Sequence, residues 1–251
     1  MDAPLWLIVL GAAGGGFVQG LAGFGFSLVS LSIWAWTLDP RLAAVLAVCG
    51  GFSGQVLAAV SVRRGFDVRR LAPFIAGGLL GLPLGLWLLP HINALVFRSF
   101  VGLLLAVWCP LMLWSSRLPH IHHGGRLADA LAGAVGGAMG PLGGATGAAP
   151  TLWCTLRGYE RDTQRSVVQT FNLTMLAVTL ASYAARGLIT RPMWPLIAVV
   201  VPSLMLPSLL GAKIYVGISP AIFRNVVLGL LTLSGVALLV NALPRLLASM
   251  S

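Results

Sequence analysis

GAAGGGFVQGLAGFGFSLVSLSIW, residues 11–34, is apolar like a membrane span, yet seven of its first fifteen residues are glycine. It has an echo in GAVGGAMGPLGGATGAAPTLW, residues 133–153. At an offset of 120, Gly16, Gly20 and Gly23 fall on Gly136, Gly140 and Gly143, and Ser30 falls on Pro150. A glycine-rich interruption inside an apolar segment, present in corresponding places of two halves, is the sequence mark of a solute site near the bilayer midplane.

The correspondence runs further along the chain. Arg64, Gly65 and Pro73 match Arg186, Gly187 and Pro195 at an offset of 122, and Phe97-Arg98 match Phe223-Arg224 at 126, as Gly85 matches Gly211. Residues 1–116 and 127–251 therefore read as two transmembrane repeats. Residues 117–126, rich in Pro, Gly and His, form an exposed linker.

Composition bounds the class. Of 251 residues, 58% are hydrophobic and 9% charged. A soluble domain carries roughly a quarter charged residues, so lipid must solvate most of the surface. The net charge of +10 comes from arginines in short loops between apolar runs, which is the pattern of topology-setting charge and not of a nucleic-acid face. Met1-Asp2-Ala3-Pro4 carries no basic region, so the first apolar run is expected to stay in the mature chain. Cys49, Cys109 and Cys154 are isolated within apolar runs and read as small packing residues.

Apolar runs at 5–36, 42–62, 71–89, 94–115, 127–156, 164–185, 193–216 and 220–243 are long enough to cross a bilayer. A single helix of 30 residues would measure about 45 Å against a hydrocarbon core of roughly 30 Å. Each glycine-broken stretch is thus either one long tilted helix or two half-helices that meet in mid-membrane. Loop charges favour the second version. If each stretch goes in and returns, the halves are inverted, with eleven Lys and Arg on one side and five on the other. If each crosses once, the split is nine to seven. The positive-inside rule prefers the first split. The expected fold is an all-α polytopic membrane protein of two homologous halves, inverted relative to each other, each opening with a glycine-broken helix.

Half-helices that start at such a break leave N–H groups unpaired, and these, with the helix dipole, bind anions. Glycine lets the backbone approach a ligand. The expected site is drawn from Gln19, Gly20, Gly23, Gly25 and Ser27 in the first break, and from Gly140, Gly143, Gly144, Thr146 and Gly147 in the second. Ser30 and Thr151 could add hydroxyls. Gln55, Gln169 and Asn172 are amides within apolar spans, which usually face a bundle interior. Gln169 and Asn172 share a helix face. The competing reading of the glycines is close helix packing.

Arg98 and Arg224 open equivalent spans and read as headgroup-snorkelling side chains or as an anion-attracting funnel. Trp6, Trp34, Trp36, Trp153 and Trp194 lie near span ends and read as interfacial anchors. His120, His122 and His123 form a cluster in the linker, where metal binding is not expected for want of thiolate or carboxylate partners. None of the six acidic residues lies in the middle of a span, so no buried proton relay is legible. No nucleophile–base set or acid pair points to an enzyme, and no cofactor motif is present.

The paired glycine motifs at 14–27 and 136–147, Pro150-Thr151-Leu152, the two Arg-Gly turns and the two Phe-Arg starts together resemble the TauE/SafE (TSUP) family of sulfite exporters over nearly the whole chain. The first half departs from the usual pattern, with Phe24-Gly25-Phe26-Ser27 where a run of glycines is common and Ser30 where Pro is common. The second half carries Ala145-Thr146. The resemblance implies a carrier of sulfite, thiosulfate or an organosulfonate across the bacterial inner membrane. Alternating access of the two halves would move the anion, mostly outward. A channel-like pathway, or uptake of another small anion, is the alternative.

Overall fold

The computed structural model describes residues 4–61, 68–115, 121, 124–214 and 220–248. Arg63, Arg64, Arg117 and the three linker histidines lie outside the described residues. The rest is helical, with no strand among the described residues. The first half contains α1 (Leu5–Ala22), α2 (Phe26–Trp34), α3 (Pro40–Ser61), α4 (Val68–Leu88) and α5 (Ala94–Trp114). The second contains α6 (Gly125–Met139), α7 (Ala148–Leu156), α8 (Arg161–Ala185), α9 (Trp194–Ile214) and α10 (Pro220–Ala248).

Seven of the described helices are long and apolar enough to cross a membrane: α1, α3, α4, α5, α8, α9 and α10. The nine-residue helices α2 and α7 are each only about 13 Å long and cannot. Side chains on α4, α5, α9 and α10 point outward and are apolar, with Leu80 81% and Val240 70% exposed, as a lipid-facing belt requires. The centre belongs to α3, whose apolar window is 67% buried.

Helix α1 stops where Gly23 turns left-handed (φ 78°) and its N–H bonds to Gln19 O at 2.7 Å. Gly25 (φ 103°) is also left-handed, and α2 starts at Phe26. A side chain at either position would cost about 1–2 kcal/mol in that conformation, so glycine is what the turn demands. Helix α2 then runs back along α1. The Ser30 hydroxyl donates to Gly11 O at 2.9 Å and Trp34 Nε1 donates to Leu7 O at 3.1 Å. In the second half, Gly143 (φ 141°) and Gly144 (φ 74°) make the turn. Trp153 Nε1 donates to Asp129 Oδ1 at 2.7 Å, and a methyl on Gly136 would lie 3.1 Å from Pro150 Cδ. Each glycine stretch is thus a helical hairpin whose open end is tied by an indole.

Trp34 is fully buried and Trp153 is bound to a carboxylate, so these two clasp hairpins and do not anchor the chain at an interface. Trp6 and Trp194 are more than half exposed. Arg98 departs from both expectations for it. Its Nε donates to Ala35 O at 2.9 Å and an Nη to Trp36 O at 2.6 Å, which satisfies carbonyls left over at the end of α2.

The hairpins pack across the halves. In α4, Gly77, Gly81 and Gly85 lie against the carbonyls of Ala130, Ala134 and Ala138 in α6, so α4 and α6 run in the same direction with their backbones in contact. Gly16 and Gly20 of α1 lie against Leu204 and Ser208 of α9 in the same manner. Between α5 and α10 the contact is reciprocal. A methyl on Gly102 would sit 3.0 Å from Gly235 O, and one on Gly235 would sit 2.9 Å from Gly102 O. Leu105 lies against Gly235 while Gly102 lies against Leu238 and Leu239, so these two helices run in opposite directions. Small residues permit such approaches, which supply van der Waals contact where lipid gives no hydrophobic drive.

Candidate functional site

The two hairpin tips meet. The Ser27 hydroxyl, in the first turn of α2, donates to Gly144 O in the second turn region at 3.0 Å, both buried. Between them lies a cavity of about 30 Å³, above the minimum of about 10–15 Å³ that a water needs. Gly25, Phe26, Ser27 and Leu28 line it from the start of α2. Gly144, Ala145, Gly147 and Ala148 line it from the start of α7. The first N–H groups of a helix have no intrahelical acceptor, so the start of α2 brings unpaired main-chain donors to this space. At the start of α7 the Ala148 N–H donates to Ala145 O at 3.2 Å and Pro150 has no N–H, and there the positive helix end contributes more than free donors do.

Side chains complete the wall. Gln19, from α1, Gln55, from α3, and Asn172, from α8, line the cavity with Phe24, Gly51 and Leu176. Gln55 Nε2 donates to Gly23 O at 3.3 Å and so braces the first turn. Asn172 Oδ1 accepts from the Thr146 hydroxyl at 2.8 Å, which fixes the second. Gln19 differs. It is 2% exposed, and neither its amide nitrogen nor its amide oxygen has a protein partner. A buried amide left unpaired costs about 1–3 kcal/mol, and a native protein rarely keeps one without a reason such as a bound water or ion. No lining residue is acidic.

The expected site residues fall into two groups. Gln19, Gly25, Ser27, Gln55, Gly144, Gly147 and Asn172 come together at the cavity. Thr146 stands directly behind it through Asn172. Gly23 faces Gln169 and Arg165, and a methyl there would lie 3.1 Å from Gln169 Nε2. Gly20 is wedged against the Ser208 backbone, Gly140 lies between Thr146 and Thr179, and Gly143 packs on Leu31. These three serve packing and turn geometry. The Ser30 hydroxyl is committed within its own hairpin, whereas Thr151 Oγ1 is buried without a partner. All three cysteines are buried and free, and none lines the cavity.

A second, wider opening of about 600 Å³ lies where the starts of α4, α6 and α8 meet. Arg69, Arg70, Arg126 and Arg157 line it, against Asp129 and Glu160. Asp129 is engaged by Trp153 Nε1 and lies 3.9 Å from Arg157. Arg70 and Arg157 stand over the Tyr159 ring at 5.6 and 5.9 Å, within cation–π range. In the sequence these arginines, and Arg165 with them, read only as loop charges that set topology. The spacing Arg165, Gln169, Asn172 places all three on one face of α8 and is the signal that could have found Arg165.

Two short-helix hairpins whose tips meet, set among seven apolar helices long enough to cross a bilayer, make this a multi-pass membrane protein of the transporter class. The profile of the family described as Sulfite exporter TauE/SafE matches residues 7–238, and the chain belongs to that family. No curated protein and no solved structure matches it.

Proposed function

We propose that the protein exports sulfite or a related sulfur-containing anion, such as an organosulfonate, by alternating access across a bacterial inner membrane. The observation that carries this reading is the convergence of two helix starts and an unpartnered buried amide on one cavity without carboxylates. Each helix start favours a bound negative charge by about 0.3–1 kcal/mol, and up to ~2 when partly buried. Main-chain and amide N–H groups supply the hydrogen bonds that a dehydrated oxyanion loses.

The two halves act as inverted repeats in this reading. Three relations support it: each broken stretch returns along itself, α4–α6 and α1–α9 make matching pairs, and the equivalent helices α5 and α10 oppose each other. The arginine-lined opening then faces the cytoplasm, and the hairpins enter from opposite sides. Rocking of one half against the other would expose the cavity alternately. An anion leaving a negative-inside cell gains about 2.3 kcal/mol per charge per 100 mV, so efflux needs no coupled proton.

Purified protein should be stabilised against heat by sulfite or another sulfur oxyanion more than by chloride. Gln19→Leu and Gln55→Leu, which alter side chains lining the cavity, should reduce that stabilisation while the protein still reaches the membrane. Equal stabilisation by every salt, in wild type and variants alike, would reject the reading.

A further inference from the structure

We infer that Arg165 is an anion-capturing residue that makes the cavity selective for charge from one end only. The inference rests on the transport reading above and adds a named residue and a direction to it.

Arg165 lies one turn into α8, about 10 Å of helix before Asn172. It is only partly exposed, and its Nε is buried with no hydrogen-bond partner. A methyl placed on Gly23 would sit 3.2 Å from that Nε and 3.4 Å from an Nη. The guanidinium therefore covers the turn of the first hairpin. The carbonyl of the same glycine is held by Gln55, which lines the cavity. A guanidinium whose Nε–H is desolvated without an acceptor is an unfilled donor, and its fork matches an oxyanion.

Position along α8 sets the order. Glu160 and Thr163 line the arginine-rich opening, Arg165 comes next, then Gln169 beside the hairpin turn, and Asn172 at the cavity. A solute arriving from the opening thus meets Arg69, Arg70, Arg126 and Arg157, then Arg165, before the helix starts.

The opposite end has no counterpart. The repeat offset of about 121 carries Arg165 onto Ala43 and Ala44 of α3, both fully buried. Of the described arginines at that end, Arg98 is committed to the Ala35 and Trp36 carbonyls and Arg41 to that of Pro90, while Arg186, Arg191 and Arg245 are exposed and line neither the cavity nor the opening. Permanent positive charge therefore reaches the cavity from one side. The ligand it takes is a compact oxyanion able to accept two hydrogen bonds from a guanidinium.

The test is sulfite flux in right-side-out and inverted membrane vesicles containing wild type, Arg165→Gln or Arg165→Lys, with folding monitored by melting temperature in detergent. Arg165→Gln should raise KM from the arginine-rich side by about tenfold or more. KM from the other side should change less than about twofold by the same scale. Arg165→Lys should recover most of the loss, which a purely structural guanidinium would not allow. Equal KM shifts from both sides, no shift, or a lysine variant as impaired as the glutamine variant would each overturn the inference while leaving the transport reading standing. Absence of saturable flux in the wild type would overturn both.

Discussion

Ser27 and Gly144, 117 residues apart, share a hydrogen bond of 3.0 Å that joins the turn regions of the two hairpins. It is a direct side-chain link between the first turn of one short helix and the glycine turn before the other. Any motion that opens the cavity by parting the hairpins must break it. Ser27→Ala should therefore lower melting temperature slightly, by about 1 kcal/mol of stability, and change the maximal flux more than KM. Steady-state flux in vesicles beside a detergent melt checks both.

Gln19 gives a prediction of opposite sign in two measurements. Its amide is buried and unpaired, so Gln19→Leu should leave stability unchanged or raise it by up to about 1 kcal/mol. Anion affinity should fall about tenfold if the amide is a ligand. Loss of stability without loss of affinity would show that the amide has a structural partner.

Glycines in the packing group should behave differently from those in the turns. Gly20→Val drives a branched side chain into the Ser208 backbone and should abolish folded protein. Gly25→Ala meets only Val18, at 3.4 Å, but must hold φ 103°. It should express and lose about 1–2 kcal/mol, read as a lower melting point with retained insertion.

Asp129 clasps the open end of the second hairpin. Asp129→Ala leaves the Trp153 N–H without its acceptor and the Arg157 guanidinium, 3.9 Å away, without its counter-charge. The expected loss is about 1–3 kcal/mol, with the arginine-rich opening widened. Asp129→Asn should retain the indole hydrogen bond and lose less. Melting curves of the pair measure the difference.

Sidedness can be settled with two exposed acids. In the inverted arrangement Asp39, after the first hairpin, and Glu160, after the second, lie on opposite faces of the membrane. In a cysteine-free background, Asp39→Cys and Glu160→Cys should react with an impermeant maleimide from opposite sides. Labelling from the same side would mean that each broken stretch crosses once.

Much of this was readable from glycine. The positions Gly23, Gly25, Gly143 and Gly144 stand in the apolar runs because left-handed backbone admits little else, so the sequence carries the turn itself. Span lengths were readable for the same kind of reason, since hydrocarbon thickness dictates them. What remained hidden depends on distant segments meeting. Nothing local to Trp34 says that its indole will reach Leu7, and nothing near Gly20 says that Ser208 will cover it. The amides were recognisable as buried, but which of them would be left without a partner is a property of the packed neighbours. Arg165 was hidden by its company, because it sits among arginines that set topology.

The pairing of α1 with α9 has a consequence for biosynthesis. The glycine flank of α1 leaves the ribosome well before the Leu204 and Ser208 backbone that fits it. Until α9 has been made, that flank must be shielded by lipid or by the insertion machinery. A nascent chain truncated before α9 should therefore be a preferred substrate for membrane quality-control proteases.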